Sequence, residues 1–419
     1  MTIIEKILAR ASGRKKTSPG EYVTAKIDMA MMPEMFRLLK TVLARGDIRE
    51  EDLRIWDPER FVVVIDHRVP PAVLANAENQ KICREFAKTL GIKHFFDVFP
   101  GIGHQVMVEK GFVRPGELIV GADSHTTTYG ALNAAATGIG TSDMAYVVYT
   151  GELWFRVPET IKIDVHGRLP EFVHSKDVIL YIAGKHTTEV AQYKAIEWTG
   201  SGVDEMSLDS RLTMGNMSVE LGAKFGIFRA DQKVLDYVRA RTDKPFQPVE
   251  SDPGAVYSER IDIDAATLEP QVALPHSVGK VVRAREVKDI KIDQAVIASC
   301  CHGRIEDLEI AVKILKGKKV HPGVRFYVAP ASWEIYKEAS DKGLLSRLIE
   351  SGVMIGNPSC GFCTGLQGVL AAGEKCIAAT PRNFKGRMGS PEAEIYLGSP
   401  ATVTASAIRG KIVDPREVM

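Results

Sequence analysis

The chain has 419 residues, of which 45% are hydrophobic and 26% are charged, and its formal net charge is +1. This length exceeds what one compact core accommodates, so we expect two or three domains. The balanced charge, without basic or acidic runs, argues against nucleic acid or a membrane surface as a partner. The first residues lack the apolar core of a secretory signal and no later stretch could span a bilayer, which predicts a cytoplasmic protein.

The first predicted region, residues 1–157, mixes strand-like and helical patterns. Apolar runs at 61–65 and 117–122 are typical of buried strands, and residues 142–154 have a helix-like pattern. We therefore expect an α/β domain over this region.

The second region, residues 158–285, begins with the strand-like run IKIDVHG. Helical patterns follow at 176–182 and 231–241. Five prolines between 245 and 275 then indicate a connector at the end of a second α/β domain.

Strand-like and helix-like segments alternate most clearly in the third region, residues 286–419. In chain order, they are a strand at 293–299, a helix at 305–317, a strand at 324–328, a helix at 333–351 and a strand at 353–355. Such alternation predicts a parallel sheet, in which the loops after the carboxyl ends of the strands form the binding crevice. Both groups of clustered cysteines fall in loops of this kind, so we expect them to meet at one edge of the sheet.

Four of the six cysteines fall in these two groups, which in a large chain without a signal indicates metal binding or redox chemistry rather than disulfides. The pair Cys360-x-x-Cys363 alone is typical of a redox pair or of half a zinc site. A structural zinc site needs four ligands, and Cys301 or His302 could join Cys300, although adjacent residues rarely face the same metal. Three cysteines on an iron–sulfur cluster would leave one iron with the open position that catalysis needs. The spacing favours the cluster and leaves zinc and redox chemistry open.

Histidines close to acidic residues form a second candidate site. They occur in Asp66-His67, in GIGHQV with His104, and in GADSHT with Asp123, Ser124 and His125. One such histidine alone is more often structural. A carboxylate beside an imidazole fixes its tautomer and raises its basicity, as acid–base catalysis requires.

Weaker patterns complete the set. Asn216 and Glu220 are four residues apart, which predicts that they share a helix face. Arg382 and Arg387 lie in a glycine-containing stretch, and their forked side chains suit a dicarboxylate, although a solvated basic turn has the same composition. The string GIGTSD at 138–143 lacks the third glycine of a nucleotide-binding loop, and we see no strand before it, so we reject that interpretation.

Together these strings resemble the aconitase superfamily, in particular its large subunits of the isopropylmalate dehydratase and homoaconitase type. The strings are GADSHT, TGIGTSD, GSGVDEMSLDSRLTMGNMSVELGAKFGIF, SCCHGRIEDL, NPSCGFCTG and RNFKGRMGSPEAEIYLGSPA. The resemblance covers essentially the whole chain. It implies an α/β fold of three α/β/α domains around a [4Fe–4S] cluster, a swivelling fourth domain that is absent here and supplied by a small subunit, and hydro-lyase activity on a small hydroxy-dicarboxylic acid.

The resemblance also implies roles for particular residues. It assigns the cluster ligands to Cys300, Cys360 and Cys363. The implied catalytic residues are Asp66, His67, His104, Asp123, His125 and Glu220, and the implied substrate-binding residues are Ser124, Asn216, Arg382 and Arg387. In the family's chemistry, the histidine of the Asp-His pair donates a proton to the leaving hydroxyl, and the proton-abstracting serine belongs to the mobile domain.

Three departures from the family pattern concern the pocket. Cys301-His302 replaces Thr-Asn, Pro381 replaces an Asn before the first arginine, and Pro33 replaces a His early in the chain. We therefore expect a substrate with an apolar or absent side group, such as 3-isopropylmalate, and poor use of citrate. Maleate, citraconate or dimethylmalate hydro-lyases are the near alternative. An iron- or redox-sensing protein and a zinc-stabilised scaffold are alternatives of a different class.

Overall fold

The computed structural model describes residues 1–45 and 54–418. Its helices are α1 Ile3–Ala11, α2 Phe36–Arg45, α3 Leu74–Thr89, α4 Gly103–Glu109, α5 Thr141–Thr150, α6 Ser175–His186, α7 Ser201–Glu205, α8 Leu208–Met217, α9 Gln232–Arg239, α10 Ile305–Leu315, α11 Trp333–Asp341, α12 Leu344–Glu350, α13 Gly361–Thr364 and α14 Pro400–Arg409. Its strands are β1 Tyr22–Lys26, β2 Met29–Pro33, β3 Phe61–Val64, β4 His94–Phe96, β5 Leu118–Gly121, β6 Ala135–Gly138, β7 Glu152–Arg156, β8 Thr160–His166, β9 Ala195–Thr199, β10 Phe225–Phe228, β11 Glu259–Asp264, β12 Gln271–Ala273, β13 Val281–Arg283, β14 Gln294–Ile297, β15 Arg325–Val328, β16 Met354–Ile355, β17 Lys375–Ala378 and β18 Glu394–Leu397. None of the described helices combines the length and the apolar character that crossing a membrane requires.

The first sheet has five parallel strands in the order β4-β3-β2-β5-β6. Its central strands β2, β3 and β5 are buried along their whole length, as expected for a parallel sheet covered on both faces. The string GIGTSD follows β6 directly, so the expectation that no strand precedes it is wrong.

The second sheet has four parallel strands in the order β10-β9-β8-β11. Strand β11 lies within the proline-rich passage, so part of the predicted connector is an edge strand of this sheet.

The third sheet has seven strands in the order β13-β12-β18-β17-β14-β15-β16. The five strands from β18 to β16 pair in parallel, whereas β12 pairs antiparallel with both β13 and β18. Strands β12 and β13 precede residue 286, where we placed the start of the third domain. The predicted α/β class is confirmed, and the exact division into domains stays a prediction.

Two predicted helices end earlier than their patterns indicated. The helix predicted over 142–154 is α5, which ends at Thr150 because Gly151 adopts φ +71 and reverses the chain. The following residues form β7, which pairs antiparallel with β1. The helix predicted over 333–351 is divided into α11 and α12 at Gly343, whose φ is +67.

One hydrophobic core joins the three sheets, since it includes Val62 of β3, Ile163 of β8 and Val296 of β14. The 3₁₀ helix Ser124–Leu132 packs against the second sheet at backbone distance. A Cβ placed on its Gly130 would lie 1.7 Å from the carbonyl oxygen of Gly226. This contact fixes the position of the helix that begins with Ser124 and His125.

We expect Gly130→Ala to destabilise the fold by about 3 kcal/mol, as severe overpacking does, because the new methyl group forces two backbone segments apart. Gly254→Ala is the matched control, since a Cβ at Gly254 meets no atom within 4 Å. Chemical unfolding of both variants measures the effect. Equal midpoints for the two variants would contradict the packing described.

Candidate active site

The candidate residues of the first and third regions follow the carboxyl ends of parallel strands. Asp66 and His67 follow β3 and Asp123 follows β5, whereas Cys300 follows β14, Cys360 follows β16 and Arg382 follows β17. This common position is why residues far apart in sequence meet at one site.

Glu34, which follows β2, supports the Asp66–His67 turn. Its buried carboxylate accepts the backbone N–H groups of Asp66 (3.1 Å), His67 (3.1 Å) and Arg68 (2.9 Å). The sequence analysis did not single out Glu34. A carboxylate that accepts three backbone N–H groups cannot be recognised from the spacing of residues in the sequence.

The side chains of Asp66 and His67 form a tight pair. His67 Nδ1 lies 2.6 Å from Asp66 Oδ1, and Asp66 Oδ2 accepts the backbone N–H of Gly103 at 2.7 Å. Burial alone would lower the pKa of His67, but the carboxylates of Asp66, Glu34 and Asp123 outweigh it and raise the pKa to about 10. His67 is therefore held as an imidazolium at neutral pH, and its side chain keeps 23% exposure.

The carboxylate of Asp123 is shared by three histidines. His104 Nε2 lies 3.0 Å from Asp123 Oδ1, His125 Nδ1 lies 3.5 Å from the same oxygen, and His67 Nε2 lies 3.8 Å from Oδ2. Asp123 also accepts the backbone N–H of His125 at 2.8 Å. Burial favours the neutral acid, yet His104 and His125 hold the pKa of Asp123 well below its usual range. The other ring nitrogen of His104, Nδ1, lies 2.9 Å from the hydroxyl of Tyr129.

Glu220 connects His125 to the loop that carries Arg382 and Arg387, called the arginine loop below. Its Oε1 accepts from His125 Nε2 at 3.0 Å and from Arg382 Nε at 2.6 Å. Burial raises the pKa of Glu220, but these two cations more than offset it and lower the pKa below 4.5. Burial alone would lower the pKa of His125, but the neighbouring Cys300 thiol and the carboxylates of Asp123 and Glu220 raise it well above 6.5.

The prediction that Asn216 and Glu220 share a helix face is wrong. Helix α8 ends at Met217, and Glu220 lies in the 3₁₀ turn Ser218–Leu221. Asn216 Nδ2 donates to Thr128 Oγ1 at 2.8 Å, and its Oδ1 is buried without a partner. Ser124 lines a cavity of about 420 Å³ beside Asp123.

The three predicted ligands Cys300, Cys360 and Cys363 are buried and free of disulfides. A hydrogen bond with Cys360, together with the guanidinium of Arg387, lowers the pKa of Cys363 to about 5 in spite of burial. Arg387 Nη2 lies 3.6 Å from Cys363 Sγ. One cysteine is thus poised as the thiolate that metal binding needs.

Cys301 and His302 do not face these thiols. Cys301 Sγ lies 3.4 Å from Ser299 Oγ and 3.5 Å from the carbonyl oxygen of Ala379, in the core. His302 Nδ1 lies 2.9 Å from Asp307 Oδ1. Neither is placed as a fourth ligand.

The donor set fits a cluster better than a single ion. Three thiolates on one zinc ion would lie about 3.8 Å apart, given Zn–S bonds of about 2.3 Å in a tetrahedron. Over residues 1–45 and 54–418, the set of potential ligand atoms within 4.8 Å of one another is Glu34, Asp66 and His67, not the cysteines. Those carboxylate oxygens already accept backbone N–H groups or the imidazole. Cys360 and Cys363 are hydrogen-bonded to each other, but the three thiols do not all lie within that distance of one another, so they suit an iron–sulfur cluster better than a single zinc ion.

Lys176, which the sequence analysis did not single out, contacts the chain just before the arginine loop. It is fully buried, and its Nζ donates to the carbonyl oxygen of Thr380 at 2.6 Å. Thr380 stands two residues before Arg382, so this bond holds the start of the loop.

Comparison with known proteins gives a consistent answer. The profile of the aconitase family (aconitate hydratase) matches residues 32–289 and 282–410. Over 416 residues, 50% are identical to the 3-isopropylmalate dehydratase large subunit 1 of Methanopyrus kandleri, with 99% of each chain covered. The large subunit of the same name from Moorella thermoacetica is 46% identical, with 100% of this chain and 99% of the relative covered.

Two further similarities are informative. A probable methanogen homoaconitase large subunit of Methanothermobacter thermautotrophicus is also 46% identical, with 100% of this chain and 98% of that protein covered. The crystal structure of aconitase X from Thermococcus kodakaraensis, in its holo-form, superimposes with a TM-score of 0.51 at 12% identity, covering 88% of this chain and 89% of the other. That likeness concerns the fold alone.

The raised pKa of His67 predicts a stability that depends on pH. The stabilisation by protonated His67 is fully present below the usual pKa of 6.5 and is lost as pH rises through about 10. The free energy of unfolding of the wild type should therefore fall over this interval, and His67→Gln should lack that part of the fall. Asp66→Asn should remove most of it, because the carboxylate is gone. Urea unfolding without oxygen measures this, and parallel curves for all three proteins would contradict the assignment.

Proposed function

The chain belongs to the aconitase family, and we propose that it is the large catalytic subunit of a [4Fe–4S]-dependent hydro-lyase acting on a small hydroxy-dicarboxylic acid. We favour 3-isopropylmalate as the substrate and the cytoplasm as the location. One observation carries the proposal: three buried thiols lie beside a continuous network of histidines and carboxylates, with Cys300 hydrogen-bonded to His125.

The cluster would be held by Cys300, Cys360 and Cys363. When bound, it supplies a Lewis acid at its open position, which polarises a substrate hydroxyl. Residues of this chain would then bind and orient the substrate and donate a proton to its leaving hydroxyl.

His67 is the group that we assign as proton donor to the leaving hydroxyl. Asp66 holds Nδ1, which directs Nε2 away from that carboxylate and towards Asp123 at 3.8 Å. The long Nε2 distance leaves this N–H free to reorient to a bound hydroxyl. Positioning by a carboxylate and a partly exposed ring are both required of a general acid.

Arg387 and Arg382 are the groups that we assign to substrate carboxylates. The Nε of Arg387 is buried and has no hydrogen-bond partner among the described residues. An unsatisfied buried donor costs free energy, and a carboxylate would relieve that cost. Arg382 is oriented by Glu220 through Nε, so its fork is presented in a fixed direction.

The substrate preference follows from the two prolines. Pro33 and Pro381 are both buried, and neither offers a polar side chain. Glu34, beside Pro33, uses its carboxylate on backbone N–H groups. Apolar residues at these two positions should accept an alkyl side group more readily than a third carboxylate.

The proposal includes a small subunit. The relatives cited above are named large subunits, and the proton-abstracting serine of the family belongs to its mobile domain. The proton removed from carbon would therefore go to a residue of the partner.

The metal content tests the proposal directly. Protein purified without oxygen should be brown and hold about four irons per chain. Replacing Cys300, Cys360 or Cys363 by Ala should abolish the cluster, because each thiol is a ligand.

Cys301→Ala and Cys83→Ala are the matched controls, since both thiols are buried outside the proposed ligand set. Both variants should keep their iron. Zinc in place of iron, or iron loss on changing Cys301 instead of Cys300, would overturn the ligand assignment.

Turnover should depend on the partner. The chain alone should convert dicarboxylates negligibly, and adding the small subunit should restore activity on 3-isopropylmalate far above that on citrate. An anaerobic assay against hydroxy-acids and their alkenes measures this. Full activity of the isolated chain would contradict the partner requirement, and rapid use of citrate would contradict the pocket argument.

His67→Ala should slow turnover by about 10²–10⁴-fold, the usual contribution of a positioned acid or base, with the cluster spectrum unchanged. Arg387→Lys is its companion, because it keeps the charge and loses the fork, and it should mainly raise KM. Steady-state kinetics of the complex distinguish the two effects. Unchanged kcat in His67→Ala would exclude His67 as the acid.

A further inference from the structure

Arg304 is a buried residue between the cysteine loop and the histidine network. We propose that Arg304 is a positioning residue, which fixes the Cys300 loop against the helix that carries His104. This inference rests on the proposed function, because it concerns how the chain holds its cluster.

All three nitrogens of the Arg304 guanidinium donate hydrogen bonds. Nη2 donates to the carbonyl oxygen of Cys300 and Nη1 to that of Cys301, both at 2.9 Å. Nε donates to Gln105 Oε1 at 3.0 Å, and Nη1 also lies 3.5 Å from Thr213 Oγ1. One side chain thus joins the loop after β14, helix α4 and helix α8.

The charge of Arg304 is unusual for its burial. Arg304 is 1% exposed, and in the part of the chain that the structure describes no carboxylate lies within 4.0 Å of its guanidinium. Arg211 is equally buried but pairs with Asp231 at 2.5 Å. A buried charge is costly unless it is compensated. The two carbonyl dipoles compensate the charge of Arg304 in part, and the carboxylates of Asp209, Glu306 and Asp307 lie close enough to interact with it electrostatically.

The backbone conformation of the Cys300 loop explains why it needs the hydrogen bonds from Arg304. Ser299 adopts φ +86, a left-handed conformation that is strained for a residue with a side chain. The two carbonyl groups that follow both point to Arg304. Holding them there fixes the backbone from which the Cys300 side chain projects towards His125.

The contact with Gln105 connects Arg304 to the helix that carries the acid–base residue His104. Gln105 follows His104 directly in α4, and its Nε2 donates to Glu109 Oε1 at 2.9 Å. Through Gln105, Arg304 sets the position of α4 relative to the cysteine loop. Arg304 therefore links the backbone of the proposed ligand Cys300 to the helix that carries the proposed acid–base residue His104.

The test compares Arg304→Met and Arg304→Lys with the wild type. After anaerobic reconstitution, we expect Arg304→Met to release iron to a chelator about 10–100-fold faster, the usual effect of losing a residue that orients a metal ligand. Arg304→Lys keeps the charge but not the fork, so its rate should be intermediate. Arg211→Met is the matched control: its unfolding midpoint should fall while its iron release stays at the wild-type rate.

A second variant keeps the proposal testable if Arg304→Met does not fold. Gln105→Leu breaks the tie to α4 and keeps the bonds to Cys300 and Cys301, so iron release should be unchanged while kcat falls about 10-fold. Wild-type iron release in both Arg304 variants, or wild-type kcat in Gln105→Leu, would overturn the inference. A wild-type protein that binds no iron would instead overturn the proposed function.

Discussion

The organisation of this site depends on one carboxylate, that of Asp123. It lies within 3.8 Å of ring nitrogens of three histidines, two of which hold its pKa well below the usual range. A carboxylate that stays ionised in a buried place favours protonated imidazoles around it. Asp123 thus contributes to the raised pKa of His67, together with Asp66 and Glu34. It contributes likewise to the raised pKa of His125, together with Cys300 and Glu220. Asp123 itself is fixed because it follows β5 and accepts the backbone N–H of His125.

The sheets make this arrangement possible. Parallel strands place the residues after their carboxyl ends on one side, and the loops of the first and third sheets face each other across a shared core. Asp66 illustrates the contact between them, because its backbone carbonyl oxygen accepts the N–H of Cys360 at 2.9 Å. A backbone hydrogen bond therefore joins the turn that carries Asp66 and His67 directly to the loop that carries Cys360.

Much of the fold was predictable, because the alternation of strands and helices over 286–419 follows from hydrophobic periodicity. The break at Gly343 was not, since a glycine within a helical pattern is often tolerated. The Asp66–His67 pair could be recognised from adjacency alone. The roles of Glu34 and Arg304 could not, because each binds several backbone groups, which every residue has and which no spacing reveals. The sequence alone could not distinguish a zinc site from a cluster, because it does not show where the Cys301 side chain points.

The central claim is that three thiols hold a cluster whose open iron faces a dicarboxylate. Mössbauer spectroscopy of protein reconstituted with iron-57, before and after adding the substrate together with the small subunit, tests it most directly. We expect one iron site to change its spectrum on binding while the others keep theirs. Iron sites that all remain unchanged during turnover, or a protein that is active without any cluster spectrum, would contradict the account.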